Sequence, residues 1–182
     1  MGKVKEHLPV KYFTAVCYTA DITVEAVLLK IETIFGPVDL RSPVYNFDRF
    51  TDYYKREMGS RLQKLFISFE RLQSPQALID SKLKSNLLEK DYLRQDGSRQ
   101  VNVDPGYLTD AKIVLATTKD YSHRLYLGKG IYGDLHLCYR DGRYRPQPWT
   151  YPDYSQPLTL EFFIKIRELY RAQLKELKSD TK

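Results

Sequence analysis

The chain has 182 residues, 42% of them apolar and 29% charged, and carries a net charge of +6. That length supports one domain with a sizeable core, and the balance excludes a disordered chain. No apolar run approaches the roughly 18–20 residues that span a bilayer, so no membrane role is expected. The positive charge permits an anionic partner such as a nucleotide, RNA or a phosphorylated metabolite. It does not demand one, because Lys and Arg are spread along the chain among Glu and Asp and form no basic arm. The N-terminal MGKVKEHLPV has no apolar signal region, and Glu6 breaks the myristoylation pattern, so a cytoplasmic location is expected. Cys17 and Cys138 read as reduced, buried thiols, and no Cys/His spacing suggests zinc.

Taken in chain order, Tyr12–Tyr18 is aromatic and β-branched and predicts a strand. Asp21 or Thr23 can cap a following helix with Val24, Val27, Leu28, Ile31 and Phe35 on one face, stopped by Gly36-Pro37. Val44–Phe47 predicts a short strand, and 49–59 a loop with a helical turn ending at Gly59. Lys64–Arg71 predicts a second firm strand. Ser74-Pro75 opens a helix through about Lys90, with Leu78, Ile79, Leu83 and Leu87 inward. Gln100–Val103 predicts the next strand, paired through the Asp96-Gly97 turn with residues 92–95. Strand–helix–strand–strand–helix–strand is the ferredoxin-like (βαββαβ) arrangement of an α+β protein, an antiparallel sheet with two helices on one face.

A short helical stretch at about Leu108–Ala116 and a β meander at about 123–127, 131–140 and 143–147 are expected next. Asp141-Gly142 supplies the clearest hairpin turn. A terminal helix over about 159–177 aligns Phe163, Ile166, Tyr170, Leu174 and Leu177, with a Glu161–Lys165 pair on its outer face. With no linker or repeat, the expectation is a single domain over 1–182, a core of about 11–105 and an extension of about 106–178.

The polar phrases between Val101 and Tyr154 point to a site. In VNVDPGY the strand period turns Asn102 and Asp104 to one face and Val101 and Val103 to the other, and Pro105-Gly106 then predicts a sharp turn. Asp104 is equally suited to a plain turn role. TTKDYSHR gathers Lys119, His123 and Arg124 within six residues. Arg can hold a phosphate or carboxylate bidentately, and His can serve as acid or base near neutral pH. If both His123 and Arg124 lie on a strand, only one of them can reach a site on a given face. Gly128-Lys129-Gly130 reads as a hairpin turn rather than a phosphate loop, since neither GxxxxGK[ST] nor a strand-to-helix GxGxxG is present. FTDYY and PWTYPDY offer Asp52, Tyr53 and Trp149 as pocket walls, or else pack over the core edge. Asp52 and Glu57 are spaced i,i+5, which is no metal signature. His7 reads as a tail residue and His136 as a strand residue.

The segments FGPVDL (35–40), FTDYYKREMG (50–59), LFISFERL (65–72), VNVDPGYLT (101–109), VLATTKD (114–120), HRLYLGKGIYG (123–133) and PWTYPDY (148–154) occur in that order and cover most of the chain. On them the chain resembles domain-of-unknown-function family 4416, a family of uncharacterised prokaryotic proteins. The resemblance implies a small stand-alone bacterial or archaeal protein and brings no activity, cofactor or catalytic residues with it. The leading functional expectation is a binding protein for an anionic small molecule, with an enzyme as one version of it. Asn102, Asp104, Lys119 and either His123 or Arg124 are the candidate contacts, and Asp52, Tyr53 and Trp149 the candidate rim. Two alternatives are an RNA-binding module stacking bases on Tyr12, Tyr18 and Phe66, and a protein that assembles through a sheet edge or the last helix.

Overall fold

The computed structural model describes residues 2–179. Its strands are β1 (Val10–Tyr18), β2 (Val38–Arg41), β3 (Tyr45–Asn46), β4 (Gln63–Gln73), β5 (Val101–Leu108), β6 (Lys112–Thr117), β7 (Arg124–Gly128), β8 (Ile131–Arg140) and β9 (Arg143–Pro146). Its helices are α1 (Val24–Phe35), α2 (Lys55–Met58), α3 (Leu78–Lys90) and α4 (Pro157–Ser179). The strands form one antiparallel sheet in the order β2-β4-β1-β5-β6-β8-β7, with β3 added to β4 and β9 to β8.

Alternation along the strands decides the layers. On β1, Tyr12, Val16 and Tyr18 face one side, where α1 brings Val27, Leu28, Ile31 and Phe35 and α3 brings Leu78 and Leu88. Phe13 and Ala15 face the other side, where α4 lays down Phe162, Phe163, Ile166, Tyr170 and Leu174. Each such side chain contributes roughly 1.5–3 kcal/mol when fully buried. Leu177, predicted to continue the α4 stripe, is instead exposed, while the Glu161–Lys165 pair forms at 2.7 Å.

The expectation of a mixed helix–sheet protein with an antiparallel sheet therefore holds. The strand order does not by itself mark off a βαββαβ unit, because the sheet runs unbroken from β2 to β7. The strand expected at 44–47 is only the two residues of β3, and β2 beside it carried no clear sequence pattern. Asp141-Gly142 and Gly128-Lys129-Gly130 both close hairpins, with Asp141, Gly142, Lys129 and Gly130 at positive φ.

Three local expectations are corrected. The helix expected at 108–116 is the β5–β6 hairpin: the Thr109 N–H donates to the Lys112 carbonyl, and Ile113, Val114 and Leu115 run as strand. On α3, Leu87 points outward, and the buried side carries Ser81, Lys82, Ser85 and Glu89 beside Leu78 and Leu88.

The third correction is at Pro105-Gly106, which makes no turn, because β5 runs straight through it. The Val103 N–H and carbonyl bind side chains of α3, so they point away from β1. Pro105, two residues on, aims its donorless nitrogen the same way, just where the ladder to β6 begins at Gly106. A Cβ on Gly106 would stand 2.6 Å from Phe13 Cζ and 2.7 Å from the Val114 oxygen. Glycine is required there for close approach.

The cysteines are free thiols, Cys17 buried and Cys138 half-buried. Burial pushes the Cys17 thiol up to about 12, so it is no nucleophile at neutral pH. Tyr12, Tyr18 and Phe66 are buried under helices, so the sheet offers no stacking platform through them. Among the described residues no helix is long and apolar enough to cross a membrane.

Candidate functional site

β5 and β6 pair only at Gly106–Leu115, Tyr107–Val114 and Leu108–Ile113. Towards Val101 the two strands part, and a cavity of about 400 Å³ opens at the parting. Its floor is the α4-facing side of the sheet. Its walls are the loop before α2, the β6–β7 connection and the segment 149–154. Lys82 and Asn86 reach it from α3, on the opposite face, through the gap that the missing ladder leaves.

Of the expected site residues, Asn102, Asp104, Lys119, His123, Arg124, Tyr53 and Trp149 all line this cavity. Asp52 does not: it is solvent-exposed and pairs with Lys55 at 3.6 Å. Asn102 and Asp104 share a face as the strand period requires. His123 and Arg124 are both admitted, contrary to the one-or-the-other expectation, because His123 sits in the turn before β7 and escapes the strand alternation. His136 is a buried strand residue outside the cavity lining. His7 Nδ1 donates locally, to the Leu8 carbonyl at 2.6 Å.

One wall is a closed ionic network. Lys82 donates to Asp104 at 2.9 Å and to the Val103 carbonyl at 3.1 Å. Asn102 donates to the second Asp104 oxygen at 2.7 Å and accepts from Arg99 at 2.8 Å. Arg99 also binds Glu57 with two nitrogens, at 2.5 and 2.8 Å, and Glu89 at 2.8 Å. Glu89 in turn accepts the Val103 N–H at 2.8 Å. These side chains satisfy the backbone groups that β6 would otherwise have paired, as buried polar groups require. Burial alone would raise the Asp104 carboxyl, but Lys82 and Asn102 outweigh it and hold it below the ordinary value. Burial does prevail at Glu89, whose carboxyl is raised in spite of Lys82 and Arg99. Deeper in, Lys64 donates to the buried Asp153 at 2.6 Å, Tyr45 donates to the same oxygen at 2.8 Å, and the ammonium lies 4.5 Å from the centre of the Phe47 ring.

The other wall is built on Asp134. It accepts from Arg124 Nε at 2.9 Å and lies 3.3 Å from His136 Nδ1. The Tyr151 N–H donates to His136 Nε2 at 3.0 Å, which places the His136 proton on Nδ1, facing the carboxylate. Burial lowers the pKa of His136, so this neutral form persists at neutral pH. Burial opposes ionisation of Asp134 as well, yet His136 and Arg124 keep its carboxyl below the ordinary range. Arg124 is held further by the Lys119 carbonyl at 3.0 Å and the Tyr151 hydroxyl at 3.0 Å.

Two groups on this wall are left without such partners. His123 is stacked between Tyr121 and Trp149, with ring centroids 6.1 and 4.7 Å away. Its buried Nε2 makes no hydrogen bond and stands 3.5 Å from Asp134 Oδ2. The Lys119 ammonium lies at the rim, 4.3 Å from the centre of the Tyr53 ring. Among the described residues no carboxylate pairs with it. Burial first, and the Arg124 charge second, lower its pKa.

Lys64, Lys82, Arg99, Asp134 and Asp153 went unnoticed in the sequence. Asp134 and His136 carried a signal, two polar residues at i,i+2 inside an apolar strand, and Asp153 lies in PWTYPDY itself. Lys82 and Glu89 carried none, because charges on a helix read as a solvated face. Among the described residues no group of three His, Cys, Asp or Glu side chains is placed to hold a metal ion.

The family model of a domain of unknown function (DUF4416) matches residues 8–170. No curated protein and no solved structure gives a significant match.

Proposed function

The chain belongs to that family of unknown function, and we propose that it binds an anionic small molecule, a nucleotide or a phosphorylated metabolite, in the cavity beside Lys119 and Arg124. The observation that carries this reading is the unpaired ammonium of Lys119. Lys64, Lys82, Arg99 and Arg124 each have a carboxylate within 3 Å, and Lys119 has none. Burial first and repulsion from Arg124 second lower its pKa, and an anion between the two cations would offset both by charge pairing. A cavity of about 400 Å³ lies within the roughly 300–1,000 Å³ typical of small-molecule pockets. Tyr53, Tyr121, Trp149 and Tyr151 give it the aromatic walls that suit a base or sugar ring.

In this reading the β5-β1-β4-β2 part of the sheet, with α1 and α3 on one face, is a ferredoxin-like unit. The remaining strands and the 149–154 segment then supply the second wall of its site.

The test is thermal denaturation against a panel of nucleotides and phosphorylated metabolites. A ligand at about 100 times its Kd adds roughly 2.7 kcal/mol, which for a chain of this size is a shift of about 5–10 °C. Lys119→Ala removes the shift while the unliganded protein stays folded. If no compound in a broad panel moves the transition, the reading fails. Product analysis on any phosphate ester that binds then reads whether binding leads to chemistry.

A further inference from the structure

We infer that His123 is the proton-transfer group of this cavity and Asp134 its positioning residue, so that the protein is an enzyme acting on its anionic ligand rather than a carrier of it; this rests on the anion-binding reading above and goes beyond it. Asp134 has an imidazole beside each of its oxygens. His136 Nδ1 lies 3.3 Å from Oδ1, and His123 Nε2 lies 3.5 Å from Oδ2. Arg124 Nε donates to that same Oδ2 at 2.9 Å. With its carboxyl held below the ordinary range, Asp134 is a carboxylate at neutral pH, and both rings face a negative charge.

The two rings differ in what is left to them. His136 is fully buried and both its nitrogens are spent, Nδ1 on the carboxylate and Nε2 on the Tyr151 N–H. His123 keeps one nitrogen open. Its Nε2 is buried and stands against Asp134. A neutral imidazole has one N–H and one lone pair, and a lone pair set against a carboxylate is repelled. The proton therefore sits on Nε2 and the lone pair on Nδ1. Among the described residues Nδ1 has no hydrogen-bond partner, and unlike Nε2 it is not shut off from solvent. His123 lines the cavity, and its ring plane is fixed by Tyr121 and Trp149, which lie within 11° and 14° of parallel to it. No other base competes for the role. The carboxylates that line the cavity, Asp104, Asp134 and Asp153, are each paired with a cation within 3 Å.

An imidazole held in this way is a general base. Nδ1 takes the proton of a ligand hydroxyl, or of a water beside the ligand. The electron pair of the broken O–H bond stays on the oxygen, which becomes the nucleophile. The ring becomes an imidazolium, stabilised by the carboxylate behind it, and returns the proton to the leaving oxygen. The separation of 3.5 Å is long for a formed hydrogen bond. Catalytic hydrogen bonds are often long before the ligand is in place, and this one shortens once the ring is charged. Lys119 and Arg124, on the same cavity, hold the anionic group while the proton moves.

The experiment takes nucleotides and sugar phosphates in turn, with binding followed by calorimetry and turnover by phosphorus NMR. An ester that binds is expected to be converted. His123→Phe keeps an aromatic ring between Tyr121 and Trp149, and is expected to lower kcat by roughly 10²–10⁴-fold, the usual worth of a general acid or base, with the Kd for the ester little changed. Asp134→Asn is expected to lower kcat by at least about 10-fold, one charge-assisted contact, while KM holds; a purely structural Asp134 moves stability and KM instead. Should either variant fail to fold, nitrogen NMR of the histidine rings in the unaltered protein decides. At mildly alkaline pH His123 is expected to carry its proton on Nε2 and His136 on Nδ1. A His123 proton on Nδ1 overturns the inference, because the lone pair then faces Asp134. Turnover that survives in His123→Phe overturns it too, and so does an ester that binds and is recovered unchanged; both leave the anion site standing. If no ester binds, both readings fall.

Discussion

The two walls of the cavity use the same kinds of residue to opposite ends. On the α3 side Lys64, Lys82 and Arg99 are each tied to at least one carboxylate at 2.5–2.9 Å. On the β7 side Lys119 has no carboxylate and His123 Nε2 has no hydrogen bond. The first wall is what a split sheet needs. Where β6 withdraws, side chains must satisfy the edge of β5, and charges that are buried must be paired. The second wall pairs its buried Asp134 with Arg124 and His136 in the same way, but the Lys119 ammonium and the His123 ring make no hydrogen bond in that network, so these two groups are available to a ligand. A cation in a pocket is therefore informative only once its partners have been accounted for.

The sharpest way to break this contrast is Asp153→Ala, which leaves Lys64 buried without its carboxylate. Removing one member of a buried pair costs about 3–5 kcal/mol, read as a lower urea midpoint. A loss in the range of an exposed pair, about 0–1 kcal/mol, would mean that water replaces the carboxylate and that this wall is not structural. Gly106→Ala comes next. A methyl group there meets Phe13 and the Val114 oxygen, and overpacking of that kind costs about 1–3 kcal/mol. A neutral result would show that the β5–β6 junction is looser than the ladder implies.

The pH dependence separates the groups further. His136, Asp104 and Asp134 all have lowered pKa values, so the folded protein holds fewer protons than the unfolded chain. Their stabilisation is present at pH 7. It is lost first as pH falls below about 6.5, through His136, and then below about 4, through the aspartates. Glu89 works the other way: its raised carboxyl gains stability as pH falls towards the ordinary glutamate value of about 4.3. A net decline in the urea midpoint between pH 7 and 5.5 is expected, and a rise would show that Glu89 outweighs His136. Lys119→Ala is the smallest effect on stability, within about 0.5 kcal/mol for a rim residue with no partner to strand. A larger loss would move Lys119 to the structural wall and sink the contrast.

Much of the fold was legible because it is written locally. Gly36-Pro37 ends α1, Asp141-Gly142 turns β8 into β9, and the stripe from Phe163 to Leu174 docks α4. The site was legible in part for the same reason. The alternation in VNVDPGY put Asn102 and Asp104 on one face, and the β6–β7 phrase supplied Lys119, His123 and Arg124. The failures have physical causes too. Pro105-Gly106 looks like a turn, but its meaning comes from Phe13 and Val114, which pack against it from other strands. Leu87, expected inward, points out, while Lys82 is buried on the same helix, where its ammonium pairs with Asp104 across the gap.

What the sequence determined by itself was the set of elements and the direction in which most side chains leave them, since periodicity, caps and turn residues act over a few neighbours. What only the tertiary structure decided was which charges are spent and which are free. Lys64 and Asp153 lie 89 positions apart, and Lys82 and Asp104 lie 22 apart. They meet only because the strand register and the parting of β5 from β6 bring them together. Coulomb pairing at 3 Å depends on that geometry and leaves no periodic trace along the chain.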